Sequence, residues 1–115
     1  MTLADCASYL AEVPDWRLGP DGRTLARNFR FRDYRSALAF ANAVSVVAED
    51  AWHHPEITLG WGFCEVSLTT RKIGGLHEFD FVMAARIDRL AAMPLDPAWL
   101  PPLPPPRSRP GAARA

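Results

Sequence analysis

Lysine is almost missing from this 115-residue chain: Lys72 is the single one among 13 basic residues, the other twelve being arginines. So uneven a usage reads as compositional bias and weakens any argument built on one arginine. Cysteine is nearly as scarce. Cys6 and Cys64 form neither a CxxC pair nor a closely spaced framework, which argues against a disulfide-stapled secreted scaffold and fits a reducing, cytoplasmic compartment. Net charge is lacking too, with 13 basic residues against 13 acidic ones, so the composition favours neither nucleic acid nor an anionic membrane as partner. No apolar run approaches the roughly 20 residues that span a bilayer. Met1-Thr2-Leu3-Ala4-Asp5 also lacks the basic start and apolar block of a signal peptide. No internal repeat is visible.

What remains is an ordinary globular composition, 49% apolar and 23% charged, long enough for one core but not for two. Leu3, Cys6, Ala7 and Leu10 recur at helical spacing behind Thr2, a suitable N-cap, and Pro14 stops that helix. Asp15 to Leu18 suits a short strand. Gly19-Pro20-Asp21-Gly22 is a turn, and Thr24 to Phe31 alternates with Leu25, Phe29 and Phe31 on one side. Arg27 interrupts that apolar side, so the face is expected to be incompletely sealed.

Asp33 can cap a long helix reaching about Ala51. Its stripe of Ala37, Phe40, Ala41, Val44, Val47, Ala48 and Ala51 is built mainly of small residues and suits close packing on a sheet. Ile57 to Thr70 reads as strand, with Cys64, Val66 and Leu68 facing one way. Gly74-Gly75 marks a tight connection. A last helix runs from about Glu78 to Ala92 with Phe79, Met83, Ile87 and Leu90 on one face, and Pro94 ends it. The half-polar strands and the hairpin-like turn predict an α+β fold, an antiparallel four-stranded sheet with three helices packed on one face. The domain is expected over residues 1–93. Eight of the eleven prolines lie between Pro94 and Pro110, so residues 94–115 form a proline-rich tail without a core of its own, expected to be disordered. Docking of Pro101-Pro102-Leu103-Pro104 on an aromatic groove is a second possibility for it.

The chemistry gathers in Glu49-Asp50-Ala51-Trp52-His53-His54-Pro55-Glu56. Histidine is the side chain that titrates near neutrality when unperturbed, and two of the three here are adjacent, with carboxylates one turn upstream. Pro55 disfavours helix at His54, which puts both imidazoles at or just past a helix end. That place also permits a plain capping role, since a helix C-terminus is its negative end. Zinc is disfavoured, because no third ligand has recognisable spacing and neighbouring residues rarely aim at one ion. Trp52 and Trp61 read as packing residues. Arg27, Arg30, Arg32 and Arg35 read as a solvated face rather than a binding patch.

Glu49-x-x-x-His53-His54-Pro55, followed by Trp61, Gly74-Gly75-Leu76 and Asp80, resembles the pterin-4a-carbinolamine dehydratase family. Trp16 resembles the tryptophan that the family carries after its first helix. Arg27 to Tyr34 resembles its strand-to-helix passage, and Met83 to Leu90 its final helix. The resemblance spans roughly residues 3–91. It implies dehydration of a 4a-hydroxytetrahydropterin, such as 4a-hydroxytetrahydrobiopterin, to the quinonoid dihydropterin and water, by a lyase that needs no metal and no cofactor. It further implies that His53 and His54 act as acid and base, that Glu49 orients an imidazole, and that Asp80 completes the catalytic set. Trp16, Pro55, Thr70 and Arg71 would contact the pterin. Homodimers or homotetramers, formed by pairing sheet edges or packing helices, are implied as well, and the alternating strand from Cys64 to Thr69 is a candidate for such pairing.

One position departs from the family. A third histidine is expected after the threonine that precedes the Gly-Gly turn, and this chain has Thr70-Arg71. Arginine stays protonated and cannot trade protons, although it can bind an anion or a pterin carbonyl. His77, beyond the glycines, is a conceivable substitute. The family also includes dehydratase-like proteins that act as assembly factors, one for RuBisCO in carboxysomes, and a dimerisation cofactor of a homeodomain protein. A chain with the fold, a replaced histidine and a proline-rich tail fits that non-catalytic class as the alternative.

Overall fold

The computed structural model describes residues 2–95. The proline-rich segment beyond them, with the tail behaviour expected from its composition, lies outside the described residues. Thr2 caps α1 (Leu3–Leu10) through a reciprocal pair of bonds with Asp5, at 3.1 Å each way. The chain then turns through Pro14 into β1 (Arg17–Leu18) and β2 (Leu25–Arg30). Asp33 caps α2 (Tyr34–Ala51) by accepting from the Ser36 N–H at 2.7 Å. The rest is β3 (Glu56–Gly60), β4 (Phe63–Leu68), a 3-10 turn over Arg71–Ile73, and α3 (Glu78–Ala92).

The strands form one antiparallel sheet in the order β1-β2-β4-β3. Alternation places Leu25 and Phe29 beside Cys64, Val66 and Leu68 on a single face, all buried. Onto it pack the small-residue stripe of α2 and the Met83–Ile87 face of α3; α1 lies against α3 with Tyr9 stacked on Phe81. Phe40 from α2 fills the centre against Phe29 and Phe31, at ring separations of 4.6 and 5.2 Å. The α+β arrangement expected from the sequence is the one observed.

Four expectations need correction. Ile57 to Thr70 is not one strand, because Trp61-Gly62 forms a two-residue hairpin loop in which Gly62 adopts φ 78°. The second half of that stretch, β4, is a central strand with partners on both sides, so it cannot be the pairing edge; β3 and β1 are the edges. Trp52 and Trp61 are not core residues but 78% and 75% exposed, Trp52 meeting the His54 ring at a centroid separation of 5.2 Å. Arg27 does not leave the apolar face open. Its guanidinium bonds Asp88 at 2.7 Å and lies 4.3 Å from the centroid of the Phe29 ring, closing that side of the core with a charge pair.

Candidate functional site: two carboxylate-anchored histidines facing an arginine and a lysine

The end of α2 positions the histidines through its backbone. Trp52 takes the left-handed conformation at φ 53°, its N–H reaching Glu49 O at 3.2 Å, while the His53 N–H reaches back to Ala48 O at 3.0 Å. This pair of bonds is the Schellman arrangement, which satisfies the last carbonyls and ends the helix sharply. His53 therefore has a fixed backbone, and Pro55 then carries the chain into β3.

The two imidazoles are anchored differently. His53 Nε2 lies 2.5 Å from Asp80 Oδ1, with side-chain exposures of 15% for the imidazole and 0% for the carboxylate. Asp80 sits in the first turn of α3, where a carboxylate also satisfies free N–H groups. Its Oδ2 accepts from the His77 N–H and from Thr70 Oγ1, both at 2.8 Å. All these contacts suit an acceptor-only carboxylate, so His53 presents Nε2–H to Asp80. Capping and site roles coincide in this one residue. The Phe79 and His53 rings pack edge to face with a centroid separation of 5.3 Å. His54 Nε2 meets Glu49 Oε2 at 2.9 Å in a largely exposed pair. In both rings Nδ1 has no partner among the described residues.

Both histidines line a cleft of about 480 Å³ with Trp52, Thr69, Thr70, Arg71 and Lys72. Arg71 and Lys72 begin the 3-10 turn, whose ends are tied by the Thr70 N–H to Gly75 O bond of 2.8 Å and released by Gly74 at φ 63°. Neither cation has an ion-pair or hydrogen-bond partner among the described residues.

The structure thus brings together Glu49, His53, His54, Thr70, Arg71 and Asp80. Thr70 reaches the site by holding Asp80. Two of the expected residues stand elsewhere. Trp16 is buried in the core, edge-on to Phe29, with its indole N–H donating to Asp88 at 2.7 Å, and it is absent from the cleft wall. Pro55 shapes the chain beside the histidines without lining the cleft. His77 does not substitute for a third histidine. Its Nδ1 accepts from the Phe79 N–H at 3.1 Å, and it borders a separate depression with Tyr9 and Ile73. Sequence reasoning missed Lys72 and Thr69, and the only available signal was their adjacency to Arg71 and Thr70.

With this geometry in view, the comparisons with known proteins are specific. The sequence model of the family described as pterin 4 alpha carbinolamine dehydratase matches residues 1–90. A protein of Azoarcus sp. (strain BH72), provisionally named a pterin-4-alpha-carbinolamine dehydratase, is 49% identical over 88 residues, covering 76% of this chain and 75% of the relative. A similarly named protein of Halorhodospira halophila is 51% identical over 83 residues, covering 72% and 76%. Among solved structures, a transcriptional coactivator/pterin dehydratase from Brucella melitensis superposes with a TM-score of 0.75 at 26% identity, covering 79% of this chain and 97% of that one. A pterin dehydratase-like protein identified as a RuBisCO assembly factor in the alpha-carboxysome superposes with a TM-score of 0.58 at 28% identity, covering 67% and 89%. Sequence match and fold agree, and the chain belongs to the pterin 4 alpha carbinolamine dehydratase family.

Proposed function

We propose that this chain dehydrates a 4a-hydroxytetrahydropterin to the quinonoid dihydropterin and water. The observation that carries the reading is the pair of imidazoles on one cleft wall, each tied through Nε2 to its own carboxylate with Nδ1 left over. The reaction has to protonate the departing 4a hydroxyl, break the C4a–O bond, and take the proton from the neighbouring ring nitrogen. A protonated imidazole donates the first proton from Nδ1 and a neutral one accepts the second. Asp80 holds His53 in the tautomer with a free Nδ1, and the charge that develops on the ring during proton uptake falls beside its buried carboxylate. His53 and His54 are the catalytic residues of this reading, with Glu49, Asp80 and Thr70 positioning them. Arg71 stands where the family expects a third histidine, and it cannot exchange a proton. The turnover is therefore reduced relative to a three-histidine site, by about two to four orders of magnitude if the third group is the principal base.

The reading is tested by dehydration of freshly generated 4a-hydroxypterin by the native chain, His53→Ala and Arg71→His. Native activity above both His53→Ala and the uncatalysed rate is expected, with a gain in Arg71→His. Native activity equal to both would reject it.

A second reading is favoured by Arg71 together with the likeness to the RuBisCO assembly factor: the fold is retained as an assembly factor for a protein partner such as RuBisCO. It predicts that the purified chain raises the yield of correctly assembled partner enzyme. No effect on that yield, alongside normal dehydration, rejects it. In either reading the protein works in the cytoplasm as a homo-oligomer. No helix among the described residues is long and apolar enough to cross a membrane. The free edge of β3 lacks proline and offers its backbone groups for pairing. Sedimentation at several concentrations checks the oligomer, and a monomer throughout contradicts it.

A further inference from the structure

The cleft carries two positive charges that the dehydration chemistry does not use. Arg71 and Lys72 are consecutive on a turn tied at both ends, and both line the cleft that the histidines line. Among the described residues, no acidic side chain shares that lining. The nearby carboxylates are already engaged: Asp80 accepts from His53, Thr70 and the His77 N–H, and Glu49 meets His54. The Thr69 hydroxyl is likewise committed to Arg23 O at 2.7 Å. What stays unmatched on this wall is positive charge, with no carboxylate among the described residues that line it.

From this we infer that the substrate is a pterin whose side chain carries an anion, a phosphate or a carboxylate, held by Arg71 and Lys72 while the ring lies against His53 and His54. The inference rests on the pterin reading above and specifies its substrate class. A guanidinium grips a planar or tetrahedral oxyanion through two parallel N–H donors, and an adjacent ammonium adds a mobile point charge. A neutral side chain offers these cations hydrogen-bond acceptors but no charge to balance them. The same substitution that removes a proton-exchanging group from the cleft thereby adds a selectivity element to it. Arg71 and Lys72 are exposed and their partner charges are solvated, so the preference is moderate, about tenfold for the two together.

The test is equilibrium binding, which does not depend on turnover. The probes are 6-hydroxymethylpterin, its monophosphate and 6-carboxypterin, titrated by fluorescence into the full chain at low and high salt. The expected result is tighter binding of both anionic pterins, by about tenfold at low salt, shrinking at high salt. The Arg71→Gln/Lys72→Gln double variant loses this preference. Circular dichroism of the double variant matches that of the native chain, since both side chains lie outside the core. Equal binding of neutral and anionic pterins by the native chain overturns the inference and leaves the dehydratase reading standing. A preference that survives in the double variant also overturns it. Failure of all three pterins to bind overturns the pterin reading and the inference together.

Discussion

Replacing Asp80 by asparagine separates the positioning role of this residue from its packing. The side chain is fully buried, so an isosteric amide stays in place. Its orientation is dictated by the His77 N–H, which can only donate and therefore keeps an oxygen at the Oδ2 position. The amide nitrogen must then occupy the Oδ1 position, 2.5 Å from His53 Nε2 in the native structure. Two donors cannot face each other there, so His53 turns its proton to Nδ1, and the atom proposed to accept a proton is lost. Loss of one acid–base group costs about 10²- to 10⁴-fold in rate, roughly 3–5 kcal/mol of barrier. Exchanging a charge-assisted bond for a neutral one costs about 1–3 kcal/mol of stability. Asp80→Ala instead strands three donors and costs more, about 3–5 kcal/mol. The assay pairs the dehydration rate with urea midpoints and with ¹⁵N chemical shifts of the His53 ring, which report its tautomer directly. The reasoning is refuted if Asp80→Asn keeps Nε2–H on His53, or if the tautomer switches while the rate stays within about twofold of native.

Phe40→Ala empties the centre of the core between Phe29 and Phe31 and should cost about 3–5 kcal/mol, read from the denaturant midpoint; a loss below about 1 kcal/mol would contradict the packing described. Trp52→Gly removes a bulky side chain from a left-handed helix end and should raise stability by up to about 1 kcal/mol, while a clear loss would show that the exposed indole is held by something. Burial pushes the Cys64 thiol from 9.0 up to about 11. Because the folded value lies above the unfolded one, the associated stability is complete below pH 9 and is lost as the pH rises toward about 11. Urea midpoints across that range should fall more steeply in the native chain than in Cys64→Ala, and equal slopes would refute the assignment. At pH 8 a thiol reagent should label Cys6 in the folded protein and reach Cys64 only on unfolding.

The helices were legible because each carries its own local signals. Thr2 and Asp33 cap where their spacing says they should, and the small-residue stripe of α2 is the face that packs on the sheet. The hairpin at Trp61-Gly62 was hidden because β3 and β4 alternate in the same manner, and a two-residue loop with a tryptophan in it does not interrupt the pattern. Arg27 misled for another reason. Its partner Asp88 is 61 residues away, so nothing local shows that the charge is matched.

The chemistry followed the same division. Residue types and spacing alone put two imidazoles at the end of α2, with Glu49 within reach of His54, because a helix turn and a proline fix those distances locally. That His53 belongs to Asp80, that Thr70 and the His77 N–H share this carboxylate, and that Trp16 turns away toward Asp88 depend on how α3 docks across the sheet. No pattern in the chain encodes those pairings. They exist because burying the apolar face of α3 carries its first turn, with Asp80 in it, up against the end of α2. The sequence by itself determined which groups are available for proton transfer, and the packing of two helices on one sheet decided which of them meet.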